Sequence, residues 1–400
     1  MTADESKNAP RFGTAVEGRN RFPRPALEEE FDDMIERSNG ARLFGLRRTG
    51  KSTEARALCA RLRLKEPGTP VIEIDAQGMA SEATLLVEML KKIPANAKSL
   101  SDRLMTAMTS DSGISQVARD AISKHTGGSA DVQAYFGPLM QALERTLTHQ
   151  DKVVLVIDEL PWLCRSILEH DATQGRQRID LLLASLRRLR DRGVRMLLLG
   201  SVGMAALLRQ YGLHTEHLND LGLLEVPPLA DDEPADYLQW LVTGSEATGW
   251  TDKHSQQCLE ECGAHYPAVI HLAFMKLSVG GRAAPLARIE AIFADKVRPD
   301  FDAAIYAQFD RRLQLYRQLP DGLSSLLPKL LDAAMRHPQQ CAALADLRPL
   351  LAEGADDSDL RDALAILRED GFLSVRVPRN AAEQWRPAST LVVAWWAQSH

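Results

Sequence analysis

Residues 45–52 read Gly-Leu-Arg-Arg-Thr-Gly-Lys-Ser. Two glycines with four residues between them, followed at once by a lysine and a hydroxyl, are the types and spacing that a phosphate cradle needs. Gly45 and Gly50 let the backbone wrap tightly enough for several N–H groups to aim at one phosphate. Lys51 supplies a cation for the β- and γ-phosphates, and the Ser52 hydroxyl is suited to Mg²⁺. Arg47, Arg48, Thr49 and Thr53 complete the run and are taken with it as phosphate-side residues. A second stretch, Val153-Val154-Leu155-Val156-Ile157-Asp158-Glu159, carries the complementary types. Asp158 is assigned to the Mg²⁺ shell and Glu159 to polarising an attacking water. Ser201 follows the apolar run Met196–Leu199 and Gly200, and is assigned to sensing the γ-phosphate.

These residues need elements to hold them. Ala41 to Leu46 reads as a short buried strand. Thr53 to Leu64 reads as a helix with Ala55, Leu58 and Leu62 on one face. The cradle then sits at a helix start, where the backbone dipole adds partial positive charge. Five consecutive branched apolar residues before Asp158 fit a central parallel strand buried on both faces, and its carboxyl end is where ligands bind in open α/β sheets. Val71–Asp75, Arg195–Gly200 and Leu223–Val226 are the other expected strands. Thr84–Ile93 and Pro138–Thr148 are expected helices, and 94–131 reads as an insertion with some helix. Arg176 to Arg192 reads as a helix with Ile179, Leu182, Leu186 and Leu189 inward, and Arg176, Arg178, Arg187, Arg188, Arg190 and Arg192 outward.

From Asp231 the pattern turns helical: Glu233–Val242, Lys253–Cys262, Tyr266–Ser278 and Pro285–Ala294, then one long linker helix from Asp300 to Leu319. The last part has helices at Leu323–Arg336, Cys341–Leu351 and Ser358–Glu369. Strands Phe372–Val377 and Gln384–Pro387 follow, then a final apolar helix Leu391–Trp396. Three helices and a two-stranded ribbon make a winged-helix pattern. Its third helix region carries Asp356, Asp357, Asp359, Asp362, Glu369 and Asp370 against Arg361 and Arg368. An acidic face repels nucleic-acid phosphate, which favours a protein partner. The expected division is a flexible amino terminus at 1–20, a nucleotide-binding core at 21–229, a small helical part with its linker at 230–319, and a winged helix at 320–400.

Four hundred residues exceed one typical core. With 45% hydrophobic and 26% charged residues the composition is that of a soluble globular chain. A net charge of −6 gives no general attraction to nucleic acid or anionic membrane. Five scattered cysteines and no secretory signal point to a reduced, cytoplasmic setting. Cys258 and Cys262 lack a second Cys/His pair nearby and read as helix-face thiols rather than a zinc site. No apolar run approaches the ~20 residues that span a bilayer, so no membrane partner is expected.

The order of parts resembles the AAA+/STAND-type P-loop ATPases, in particular the archaeal-ATPase-like branch related to origin-recognition ATPases. Residues 45–52 are close to the G-x-R-R-x-G-K-[ST] variant of that branch. Val156-Ile157-Asp158-Glu159-Leu160 is similar to its Walker B segment. Asn219-Asp220-Leu221 through Pro227-Pro228-Leu229 resembles its passage from core to lid, and the winged helix ending in Trp395-Trp396 matches its tail. The resemblance runs over roughly residues 20–400. It implies an α/β P-loop NTPase core with a parallel AAA+-like sheet, followed by a helical lid and a winged helix. It implies ATP with Mg²⁺, adenine contacts from Arg24 in the segment Phe22–Glu28 and from Pro267 in Gly263–Pro267, and slow turnover. Arg209 and the Arg187/Arg188 pair are candidate arginine fingers.

The leading expectation is an ATP-hydrolysing switch that couples nucleotide state to partner binding through lid and winged helix, with a protein partner or a second copy as target. Two others stay open: a DNA-binding ATPase of the origin-recognition or transposition-regulator kind, using the wing or the basic helix 176–192, and a nucleotide-dependent scaffold with negligible hydrolysis.

Overall fold

The structure is a computed structural model and describes residues 18–92, 136–147, 153–171, 173–201, 203–301, 305–338, 341–377 and 382–399. The expected insertion at 94–131, and all of the expected flexible terminus except residues 18–20, lie outside the described residues. The chain divides into two compact units. One comprises Pro25–Phe44 and Ala55–Glu225; the other comprises Met1–Arg24, Gly45–Glu54 and Val226–His400.

The first unit is a five-stranded parallel sheet with helices. Its strands are β1 Gly40–Phe44, β2 Val71–Asp75, β3 Val153–Asp158, β4 Val194–Gly200 and β5 Gly222–Leu223, in the order β2-β3-β4-β1-β5. β3 is buried along its length until Asp158, as a run of branched apolar residues requires in a strand covered on both faces. Its register sets Val156 against Leu197 of β4 and Asp158 against Asp75 of β2. Leu155, Ile157, Met196 and Leu198 join Leu182, Leu183, Leu186 and Leu189 of the helix Gly175–Asp191 in one apolar core. Strands β1 and β2 and the helices Glu82–Lys92 and Phe136–Leu147 lie within a few residues of their expected bounds. β5 is shorter than expected, only Gly222 and Leu223 pairing with Ala41 and Arg42.

The basic face expected on the helix Gly175–Asp191 needs correction. Arg190 is buried, with its Nε 2.6 Å from Asp220 Oδ2 and its Nη2 donating to Asp220 Oδ1 at 2.8 Å and to the His217 carbonyl. Arg178 grips Glu82 with two bonds, at 2.8 and 2.6 Å. Arg188 and Arg192 both reach Glu144 at 3.2 Å, and Arg187 donates to the Glu216 carbonyl at 2.6 Å. Arginine's planar fork suits such bidentate pairing, so most of this charge holds the unit together. Burial would raise the Asp220 carboxyl, but the Arg190 guanidinium outweighs it and holds that carboxyl below its ordinary range. The Asn219-Asp220-Leu221 segment therefore anchors the unit's last turn before β5.

The second unit is mainly helical from Glu233 on. Glu233–Gly244, Asp252–Cys262 and Pro267–Leu277 form as expected, and a short hairpin of β6 Ser278–Val279 and β7 Arg282–Ala283 follows. The expected helix Pro285–Ala294 is instead a 3-10 turn at Leu286–Arg288, then α-helical Ile289–Ile292, a π-turn at Phe293–Val297, and Arg298–Phe301. The long linker helix expected at 300–319 is described as Ala307–Tyr316. The carboxy-terminal part has helices Asp321–Arg336, Leu344–Leu347 and Asp357–Glu369, a sheet of β8 Ala342–Ala343, β9 Leu373–Arg376 and β10 Gln384–Pro387 in the order β8-β10-β9, and the closing helix Thr390–Ser399. This is the helix-and-ribbon order expected, with β8 added in place of the start of the expected helix at 341–351.

Two of the six acids expected on the surface around the helix Asp357–Glu369 are inside: Glu369 is 3% and Asp370 1% exposed. Asp356 caps that helix by accepting from the N–H groups of Ser358 and Asp359, and Asp359 Oδ2 accepts in turn from Asp356 N. Acids at a helix N-terminus satisfy orphan donors and oppose the dipole.

Candidate functional site

The loop Gly45–Lys51 joins β1 to the helix Lys51–Lys65, the strand–turn–helix context its chemistry needs. Gly45 at φ 133°, Arg48 at φ 68° and Gly50 at φ 102° turn its backbone out of the ordinary L-residue range. Such alternation converges successive N–H groups into an anion-binding concavity. The Thr49 hydroxyl donates to the Leu46 carbonyl at 3.1 Å and fixes the turn from inside. Lys51 is buried; its Nζ donates to the carbonyls of Gly45, at 3.0 Å, and of Leu46. Ser52 and Thr53 are half-buried in the first helical turn, while Arg47 and Arg48 are exposed. Glu54, one turn into the helix, pairs with Arg21 at 2.5 Å.

In the sheet unit, β3 ends at Asp158 and β4 at Gly200. Glu159 follows in a left-handed conformation, φ 55° and ψ 35°, as the N-cap of the helix Leu160–His170. That backbone is costly for a non-glycine residue. It turns the Glu159 carboxylate to the end of the neighbouring strand, where Oε2 accepts from Ser201 N at 3.2 Å and from Ser201 Oγ at 2.9 Å. Asp158 Oδ1 accepts from Glu159 N at 2.9 Å. The three assigned residues Asp158, Glu159 and Ser201 thus meet at the carboxyl edge of adjacent parallel strands. Gly200 is required by this approach, since a Cβ there would stand 2.6 Å from the Pro161 ring.

Arg24 is nearly buried and donates to the carbonyls of Pro227 at 3.0 Å and Pro228 at 3.2 Å, with Glu233 Oε2 at 3.3 Å. It fastens the amino-terminal segment onto the Pro-Pro turn. Beside it, Phe22 meets Tyr237 edge-on at 5.3 Å, and Tyr237 stacks on Trp240 at 5.7 Å. Pro267 opens the helix Pro267–Leu277 behind Tyr266, and Leu229 N donates to His265 O at 2.8 Å in the same region.

Three residues around the loop were not foreseen from the sequence. Arg47 N–H donates to Gln308 Oε1 at 2.9 Å. A Cβ on Gly45 would lie 3.6 Å from the Glu369 carbonyl, and one on Gly371 would lie 3.4 Å from Leu46 Cγ. The end of the helix Asp357–Glu369 therefore abuts the loop.

No family model matches the sequence, and no curated protein matches it in sequence. Solved structures do match in fold. A Walker-type ATPase of Pyrococcus abyssi is 15% identical, with 94% of this chain and 96% of that chain covered at a TM-score of 0.51. The fold is that of the AAA+-type P-loop ATPases. Cdc6p from Pyrobaculum aerophilum is 14% identical over 100% of this chain and 99% of its own, at a TM-score of 0.42. The ORC2 protein of Aeropyrum pernix in its ADP form is 12% identical over 93% and 91%, at 0.44.

Proposed function

We propose that this chain binds ATP with Mg²⁺ through the loop Gly45–Thr53, hydrolyses it, and uses the nucleotide state to set what its carboxy-terminal part binds. The observation that carries the reading is the loop itself. Three left-handed residues curl the backbone immediately before a 15-residue helix that begins with the lysine and the serine. Phosphate oxygens there would take hydrogen bonds from loop N–H groups and draw the Lys51 ammonium from the Gly45 and Leu46 carbonyls.

The Ser52 hydroxyl and the Asp158 carboxylate are hard oxygen donors of the kind Mg²⁺ takes alongside phosphate. When bound, Mg²⁺ would neutralise charge on the phosphates during transfer. Glu159 is assigned to accept the proton of the attacking water. Ser201 holds that carboxylate by two donors and so fixes its direction. The helical part at 230–319 is assigned the role of lid, with Arg24 and Pro267 on its adenine side, and the part at 320–400 the role of output. Asp356, Asp357, Asp359 and Asp362 head the third winged helix, which favours a protein surface or a second copy over duplex DNA. A DNA reading rests on Arg376 and Arg386, exposed on β9 and β10.

Equilibrium binding of a fluorescent ATP analogue with Mg²⁺ tests the site. Lys51→Ala is expected to abolish binding while leaving the melting temperature near that of the wild type. Retained affinity would overturn the assignment of the loop.

A further inference from the structure

The helix Ala307–Tyr316 carries Gln308, Arg312 and Tyr316 at i, i+4 and i+8, one row along one face. The first of the three touches the phosphate loop, where Gln308 Oε1 accepts the Arg47 N–H at 2.9 Å. The other two hold Asp370, just past the end of the third winged helix. The Tyr316 hydroxyl donates to Asp370 Oδ2 at 2.7 Å, and Arg312 Nε lies 3.4 Å from Oδ1. All three members of that cluster are nearly or wholly inside: Arg312 is 3%, Tyr316 1% and Asp370 1% exposed. Burial pushes the Tyr316 hydroxyl well above its ordinary range, with the Asp370 charge adding to the rise, so it acts as a neutral donor.

The same helix is locked to the winged helix by aromatic packing. Phe309 meets Trp395 at 4.9 Å and Phe372 at 5.3 Å, and Trp395 Nε1 donates to Asp310 Oδ1 at 3.0 Å. The turn that carries Asp370 also lies against the loop, with the Glu369 carbonyl facing Gly45 and Gly371 facing Leu46. A closely packed, hydrogen-bonded chain therefore runs from a loop amide, through one helix face, to the end of the winged helix. It lies wholly within one compact unit.

We propose that Gln308 is a latch that competes with nucleotide for the phosphate loop, and that the helix Ala307–Tyr316 passes release of the latch to the turn Glu369–Gly371 of the winged helix. The proposal rests on the reading of the loop as a nucleotide site. The Arg47 N–H has one hydrogen to give. A phosphate oxygen that takes this N–H displaces Gln308 Oε1, and the helix that carries Gln308 then loses that one hold on the loop. The sequence hides this device, because the two partners stand 261 residues apart.

The test uses the full chain, a fluorescent ATP analogue with Mg²⁺, and two variants at the half-buried Gln308. Gln308→Ala removes the competing acceptor. It is expected to tighten binding about five-fold, the factor one neutral hydrogen bond carries. Gln308→Glu offers a stronger, charged acceptor beside the phosphates and is expected to weaken binding at least about five-fold. Opposite signs at unchanged melting temperature are not expected of a merely structural residue. In the wild type, nucleotide is expected to raise hydrogen exchange at the amides of Asp370, Gly371 and Phe372, now bonded to the carbonyls of Ile366, Arg368 and Leu367. In Gln308→Ala that response should be lost. Wild-type affinity in both variants, or an exchange response unchanged by Gln308→Ala, would overturn the latch while leaving the nucleotide site standing. A wild-type chain that fails to bind the analogue would overturn both.

Discussion

Glu159 is the residue proposed to separate binding from hydrolysis, and its carboxylate is held by one neighbour, Ser201. Its left-handed backbone and the two donors of Ser201 fix the carboxylate at the strand ends. Backbone strain of this kind costs about 1–3 kcal/mol and persists only where the surroundings enforce it. Ser201→Ala removes the hydroxyl donor and leaves the backbone N–H. Turnover is expected to fall by about ten- to a hundred-fold, the scale on which small misplacement of a catalytic group acts. Nucleotide affinity should stay within about two-fold, because the hydroxyl that the sequence assigns to sensing the γ-phosphate is proposed to act by aiming Glu159, to which it donates at 2.9 Å. Single-turnover hydrolysis alongside equilibrium binding separates the two quantities, and an equal loss in both would place Ser201 on the phosphates.

At the scale of elements, the helix Pro267–Leu277 brings a titratable group into an apolar setting. His271 is 6% exposed, and burial pushes its imidazole down to about 4. Its Nδ1 lies 3.4 Å from the Tyr237 hydroxyl. An unfolded histidine titrates near 6.5. Between those values the unfolded chain binds a proton that the folded chain does not. The stabilising contribution is therefore full above about pH 6.5 and is lost as pH falls towards 4, about 3 kcal/mol in all. His271→Leu should flatten the fall in melting temperature between pH 7 and pH 4.5 relative to the wild type. Parallel pH curves for the two proteins would contradict a neutral buried imidazole.

The elements also show what could be read from sequence. β1, the loop and the helix Lys51–Lys65 were legible because glycine, lysine and apolar spacing act over a few residues. β3 was legible because continuous branched residues have few other uses in a parallel sheet. The hairpin at 278–283 was missed since its strands are two residues each and carry no alternation. The arginines of the helix Gly175–Asp191 were read as an outward face because helical period gives direction and not partners. Their acceptors, Glu82, Glu144, Glu216 and Asp220, lie on other elements. Gln308, Asp370 and Gly371 had no local signal, as a contact across the chain leaves no spacing to find.

For the whole molecule, the chain threads the phosphate loop into the compact unit that holds the carboxy-terminal helices, while the flanking strand β1 belongs to the sheet unit. The loop is thus covalently continuous with both. No helix among the described residues is long and apolar enough to cross a membrane, and the net charge of −6 leaves partner choice to local surfaces. In the proposed function the chain hydrolyses ATP by means of Glu159 after binding it at the loop. Glu159→Gln keeps the shape and the acceptor oxygen for Ser201 but removes the base. The decisive measurement is single-turnover ATP hydrolysis by Glu159→Gln and wild type, each saturated with ATP–Mg²⁺. Matched nucleotide affinity is expected, with hydrolysis reduced by about a hundred-fold or more, the weight of a general base. Equal hydrolysis rates in the two proteins would contradict it.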